Sequence, residues 1–416
     1  MTRAISGRSR TMAFSVWPIP LRSWRNSPGR LLVLTLGATA IGVVGWSGDP
    51  WTLPLAMVFP AVWSLAGSRF SAALIASAYF LGASRGLPQG VSNFFGSDIL
   101  LGLSLWVGAS LAFVGVHAAC WSRREGWRQA RNYVLANVLM SVPPLGIVGW
   151  ANPVTATGII FPGWGWWGLG VTIVVLMVST TRFRWPAIVI IGALALFSAV
   201  TWTDPASPAR WRGIDTSFVS GRDQYADYGQ QLSTMALVRE AAADGAEVVV
   251  LPESAFGIWT PTIEALWRRG LADLDVTVVG GAVVLTETGY DNLMVSVAAG
   301  SSAVLYRQRM PVPVSMWQPW TSDGANADFF GNPVVTLDGL RLAVLLCYEQ
   351  LLVWPVLHSM LFTPDVTVAT ANGWWTGSTN IVAIQRVAVT AWTRLFGVPV
   401  AMAFNHIQSD LRPKHE

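Results

Sequence analysis

The sequence predicts a polytopic α-helical membrane domain of about seven spans followed by an α/β layered domain, and three observations carry that prediction. Of 416 residues, 52% are apolar and only 12% charged, about half the charged share of an ordinary globular chain. Charge is also divided: residues 1–202 hold 14 arginines against Asp49, Asp98 and Glu125, whereas residues 203–416 hold 12 arginines and one lysine against 20 acids. At the same place the pattern changes from long apolar runs to short apolar strands alternating with helical stretches. Such a composition excludes a disordered chain, a coiled coil and an ordinary soluble enzyme of full length. The basicity sits in the apolar half, so it does not point to nucleic acid, and no direct nucleic-acid partner is expected.

Residues 1–30 read as a basic cytoplasmic leader, because they lack the apolar core and small-residue cleavage site of a signal peptide. Apolar runs follow at Leu31–Trp46, Trp51–Ala66, Ser71–Ala83, Ile99–Cys120, Tyr133–Trp150, Gly168–Thr180 and Trp185–Trp202. Several fall short of the roughly 20 residues that cross a bilayer, so their ends extend into flanking tryptophans, which suit the membrane interface. Orientation follows from arginine. The leader and the even-numbered connections carry Arg3, Arg8, Arg10, Arg22, Arg25 and Arg30, then Arg69, then Arg123, Arg124, Arg128 and Arg131, then Arg182 and Arg184; the odd-numbered connections carry only Arg85. Positive charge stays inside, so the N-terminus faces the cytoplasm of a bacterial inner membrane and an odd number of crossings sends the rest to the periplasm. The runs hold no ionisable residue except Asp98 at an edge, which argues for an anchor or a lipid-access device over ion transport.

Residues 31–202 thus form the membrane domain, 203–212 a Pro-containing linker and 213–416 the outer domain. Strands are predicted at Glu247–Leu251, Val276–Val284, Asn292–Ala298, Ala303–Gln308, Val334–Leu337, Leu340–Leu346, Val366–Ala369 and Val398–Phe404, and helices at Gln224–Asp244, Thr262–Leu274, Leu351–Phe362 and Asn380–Phe396. Strand–helix units at both ends with hairpin-like strands between suggest a layered sandwich.

Three segments of this outer domain can carry chemistry. The apolar strand Val248–Leu251 ends in Pro252 and Glu253; proline stops the ladder and leaves a carboxylate at the C-terminal edge, where open α/β sheets place their sites. The apolar strand Leu342–Leu346 ends in Cys347-Tyr348-Glu349 ahead of a helical run, so a thiol stands where helix amides favour thiolate and oxyanion. Tyr306-Arg307-Gln308-Arg309 ends a third strand before Met310-Pro311, with Arg307 and Arg309 on one face and Gln308 on the other. After another strand, Asn372-Gly373-Trp374-Trp375 offers two indoles to wall a pocket. Cys120 and Cys347 fall on opposite sides of the predicted membrane and cannot pair, and the four histidines show no metal spacing.

In this order, the three segments resemble the nitrilase, or carbon–nitrogen hydrolase, superfamily. With the preceding spans, they resemble its apolipoprotein N-acyltransferase branch and conjugal plasmid transfer proteins of the same architecture. The resemblance implies an α-β-β-α sandwich, and a catalytic triad of Glu253, Cys347 and the position of Gln308. It implies Tyr348, Glu349, Trp374 and Trp375 around the pocket. The family's lysine falls on Gln308, and Lys414 is the chain's only lysine, so Arg307 and Arg309 are the possible substitutes for the missing charge. A glutamate expected after the Val-Pro turn is replaced by Val314-Ser315-Met316. The implied activity is acyl transfer or amide hydrolysis through a thioester, with phospholipid or a lipidated protein as donor and no metal or organic cofactor. The implied partners are the lipid bilayer and the conjugal transfer machinery. The rival expectation is a silent nitrilase fold that docks that machinery.

Overall fold

The computed structural model describes residues 27–124, 126–148, 150–218 and 224–406. Nearly all of the basic leader, and Lys414, lie outside them. Among the described residues, nine α-helices make up the N-terminal half: α1 (Pro28–Gly45), α2 (Phe59–Ser64), α3 (Arg69–Ala83), α4 (Leu87–Phe95), α5 (Ile99–Cys120), α6 (Trp127–Ser141), α7 (Thr157–Ile160), α8 (Gly165–Ser179) and α9 (Arg184–Thr201). Serine hydroxyls cap α1 and α3, where Ser27 accepts from the Arg30 amide and Ser68 from the Ser71 amide. Each of the seven apolar runs contains helix, but among the described residues only α1, α5 and α9 are long and apolar enough to cross a membrane. Their outward faces stay apolar, with Leu36, Leu100, Leu111, Phe197 and Val200 exposed. Inside, Trp46 Nε1 donates to Tyr79 Oη (2.9 Å), whose hydroxyl donates to the Ala151 carbonyl (3.0 Å).

Among the described residues, nine strands form the C-terminal half: β1 (Trp211–Gly213), β2 (Val248–Val250), β3 (Thr277–Thr286), β4 (Gly289–Val297), β5 (Ser302–Arg307), β6 (Val335–Leu337), β7 (Leu340–Leu346), β8 (Val366–Asn372) and β9 (Val400–Asn405). Four helices cover them: α10 (Gln224–Ala243), α11 (Pro261–Gly270), α12 (Val353–Met360) and α13 (Ile381–Phe396). One sheet has the order β1-β2-β3-β4-β5, the other β6-β7-β8-β9. Strands β1, β2 and β3 run parallel, as do β7, β8 and β9, while β3-β4-β5 is an antiparallel meander.

The period-two alternation of strands builds four layers. Val248 and Val250 face the second sheet, packing with Val344, Leu346 and Val368, whereas Val249 and Leu251 face Val238 of α10 and Trp267 of α11. On the far side, Leu345 of β7 packs with Val356 of α12, Trp392 of α13 and the N-terminal helices in one continuous core. The result is the expected α-β-β-α sandwich, with one helical layer seated on the apolar half. The predicted linker ends inside β1, since Trp211 and Arg212 pair with Val248 and Val249.

Glycine sets the seam between the halves. A Cβ at Gly158 of α7 would lie 1.6 Å from the Ala391 carbonyl oxygen of α13, so only glycine lets these helices touch. Asn380 Nδ2 donates across the same seam to the carbonyls of Trp46 (2.8 Å) and Ser47 (3.1 Å).

Candidate active site

Glu253 and Cys347 come together although they arise from different sheets. Pro252 ends β2, and the chain turns through Ser254, which holds a left-handed φ of 64°. The turn packs on β3 so tightly that a Cβ at Gly281 would lie 2.5 Å from Glu253 Cα. Cys347 follows β7 and takes a φ of 48°, a backbone conformation that costs a non-glycine residue about 1–2 kcal/mol. It is followed by a short 3₁₀ turn, Cys347–Leu351, with α12 starting only at Val353. The sequence places the helix from Leu351, within two residues of its observed start; the strained elbow between thiol and helix is what it does not show.

Glu349 holds that elbow. Its carboxylate accepts from the amides of Leu346 (2.9 Å), Arg309 (2.7 Å) and Met310 (3.1 Å) and from the Tyr306 hydroxyl (2.8 Å). Wholly buried and engaged in this way, it does not line the pocket that the sequence reading gave it. Tyr348 also leaves the pocket, because its hydroxyl donates to the Ile147 carbonyl (2.9 Å) and ties the elbow to the apolar half.

At the site itself, Glu253 accepts from Asn292 Nδ2 (2.6 Å) and from the Asn372 amide (2.9 Å), and the Cys347 thiol is its electrostatic neighbour. Gln385 Nε2 lies 3.7 Å from Cys347 Sγ. Burial raises the Glu253 pKa, opposed by these hydrogen bonds. Burial, then the neighbouring Glu253, push the thiol well up from its ordinary range. The resting nucleophile is therefore the thiol rather than the thiolate.

Gln308, which the resemblance puts at the family's lysine position, is buried between Asn292 and the elbow. Nε2 donates to the Leu346 carbonyl (3.3 Å) and Oε1 accepts from Asn292 (2.9 Å). The two candidate charge substitutes are elsewhere. Arg307 is exposed and paired with Asp291. Arg309, only 1% exposed, donates to Tyr306 Oη (2.8 Å), Ser359 Oγ (3.0 Å) and the Pro355 carbonyl (3.1 Å). The alternation expected for this segment fails because β5 ends at Arg307 and the next two residues turn inward.

Above the pair lies a cavity of about 410 Å³. Glu253, Asn292 and Cys347 contribute its polar part, Trp374, Trp375 and Met316 one wall, and Leu87, Val91, Phe94 and Phe95 of α4 the other. The two tryptophans therefore stand where the sequence reading put them. Asn93 Nδ2 donates to the Trp375 carbonyl (3.0 Å), and Phe94 stacks on Trp374 at 6.0 Å. Asn292 and α4 were missed from sequence. For α4 the signal was present: Leu87, Val91, Phe94 and Phe95 recur at helical spacing between two glycines, Gly86 and Gly96.

A paired cysteine and glutamate at the edges of two stacked sheets, inside an α-β-β-α sandwich, define a carbon–nitrogen hydrolase-type domain. Residues 262–394 match the carbon-nitrogen hydrolase family, a segment that includes Gln308 and Cys347 and begins just after Glu253. The chain is 50% identical to "Conjugal transfer protein TraB" of Agrobacterium fabrum, over 97% of this chain and 100% of that protein. It is 51% identical to "Probable conjugal transfer protein TraB" of Sinorhizobium fredii, over 90% of this chain and 97% of that protein. An amidase of the nitrilase superfamily from Nesterenkonia is similar over 47% of this chain and 74% of its own, with 12% identity and a TM-score of 0.36. A carbon–nitrogen hydrolase from Helicobacter pylori is similar over 48% and 75%, with 15% identity and a TM-score of 0.35. The chain belongs to the TraB family of conjugal transfer proteins.

Proposed function

We propose that this protein is an inner-membrane, cysteine-dependent acyltransferase or amidase of conjugal plasmid transfer, acting through a thioester on a lipid or lipidated-protein substrate. The observation that carries the reading is the cavity. It places apolar side chains of α4, from the half that holds the three membrane-length helices, directly over Glu253 and Cys347. An acyl chain suits such a lining, and the carbonyl at its end would meet the thiol.

In the reaction, ionised Glu253 takes the thiol proton while sulfur attacks the acyl carbonyl. The tetrahedral intermediate collapses with cleavage of the C–O or C–N bond, and Glu253 gives its proton to the leaving group. An amine or water then attacks the thioester, passes its proton to Glu253, and expels the thiolate, which Glu253 reprotonates. Gln308 was expected to hold the oxyanion. Gln308 does not line the cavity, so that task falls to the amide of Tyr348, and the absent donor costs about 10²–10³ in rate.

Intact mass of the purified protein after incubation with phospholipid tests the reading. A hydroxylamine-labile acyl adduct is expected on the wild type and absent from Cys347→Ser; no adduct on either would sink it. One observation favours a second reading, a silent fold that docks the transfer machinery: no cation hydrogen-bonds Glu253 among the described residues. On that reading Cys347→Ala supports plasmid transfer at the wild-type frequency, whereas the enzymatic reading expects transfer to be lost at normal protein level.

A further inference from the structure

We propose that Asn292 is a positioning residue of this site, holding Glu253 and Gln308 in one neutral hydrogen-bonded relay where a cation would otherwise orient the carboxylate. The inference rests on the reading of Glu253 as the base for Cys347. Asn292, on β4 and 3% exposed, uses one nitrogen twice: Nδ2 donates to Glu253 Oε1 (2.6 Å) and to Gln308 Oε1 (2.9 Å). Gln308 Nε2 passes the chain on to the carbonyl of Leu346 (3.3 Å), the residue immediately before the nucleophile. The relay therefore joins the base to the nucleophile's own elbow.

Two acceptors on one nitrogen fix which end of the Asn292 amide is which. They leave Oδ1 buried with no hydrogen-bond partner. An unmet buried acceptor is a standing cost, and cores seldom keep one without a use. A side chain that served packing alone would lose that cost by becoming apolar. The groups that face Glu253 are few: Asn292 and Tyr290 from β4, the Asn372 amide from β8, the Cys347 thiol from the elbow, and Glu349 behind it, paired with Arg309. Of these, Asn292 is the side chain that donates to the carboxylate without itself titrating.

The test reads the thiol directly, so it does not depend on lipid turnover. Full-length protein in detergent, carrying Cys120→Ser so that Cys347 is the only thiol, is alkylated with iodoacetamide across a range of pH, and the inflection of the rate is recorded. Asn292→Ala is expected to raise that inflection by about one pH unit, the effect of losing one hydrogen bond to the carboxylate. Adding Gln308→Lys is expected to bring it back down, because the ammonium contacts the carboxylate itself. An unchanged inflection in a variant that melts like the parent overturns the proposal, as does a rise that Gln308→Lys leaves in place. Should Asn292→Ala fail to fold, Asn292→Ser, too short to bridge both acceptors, is read the same way. A protein that alkylates as expected yet forms no acyl adduct would fail the proposed function and keep this inference.

Discussion

Burial ties Glu253, the proposed base, to stability as well. Its carboxyl is held protonated above the ordinary value of 4.5, so through the window between that value and its raised folded value the native state keeps a proton that the unfolded chain has lost. Native-state proton excess means that stability falls as pH rises through this window. Glu253→Gln removes the titration, and the expected outcome is a flatter profile of Tm against pH, with a higher Tm than the parent at neutral pH, together with loss of the thioester. Burial raises the Glu349 carboxyl too, opposed by Arg309 at 3.9 Å, three amides and the Tyr306 hydroxyl. Glu349→Ala strands Arg309 in the core, and breaking a buried pair of this kind costs about 3–5 kcal/mol; a large drop in Tm, with little residual folded protein, is expected. At this scale the legible residues were those that end an apolar strand abruptly. Glu253 after proline and Cys347 after five apolar residues announce an edge. Asn292 was one polar residue in a hairpin, and nothing in the chain says that Glu253 and Gln308 will meet on its amide.

Elements were legible wherever one face alone is buried. The strand–helix units of the α/β half follow the period of their apolar residues, and α10 to α13 start and stop within a few residues of where that period places them. In the apolar half the signal fails for the opposite reason: a helix apolar all round has no period, so length decides; two of the seven runs break into shorter pieces, and two more are single helices of 15 residues. The run at Trp51–Ala66 becomes a 3₁₀ turn, Leu53–Val58, and the six-residue α2. Contact between α7 and α13 was invisible in the sequence, because a lone glycine in an apolar stretch carries no record of what approaches it. Gly158→Ala tests that contact. Its methyl would strike the Ala391 carbonyl and the Leu395 amide, both backbone, so neither helix can yield without moving. Overpacking of this kind costs about 1–3 kcal/mol, and a lower Tm with faster alkylation of Cys347 is expected as the seam loosens. An unchanged Tm would show that the helices separate freely.

For the whole molecule the decisive quantity is where the sandwich sits relative to the membrane. The arginine asymmetry predicts that the loop after α5 faces the cytoplasm and that the α/β half faces the periplasm, because each cationic loop is held on the side where translocation is resisted. The cavity gives this orientation a chemical consequence. Its α4 wall belongs to the apolar half and its Trp374–Trp375 wall to the sandwich, so substrate would enter along the plane where the two meet. Two cysteines placed by substitution separate the possibilities on a background carrying Cys120→Ser and Cys347→Ser. Ser301→Cys, exposed beyond the hairpin of β4 and β5, is expected to react with a membrane-impermeant maleimide in intact spheroplasts. Arg123→Cys, exposed after α5, is expected to react only once the membrane is opened. Equal reaction at both sites before permeabilisation would overturn the odd number of crossings.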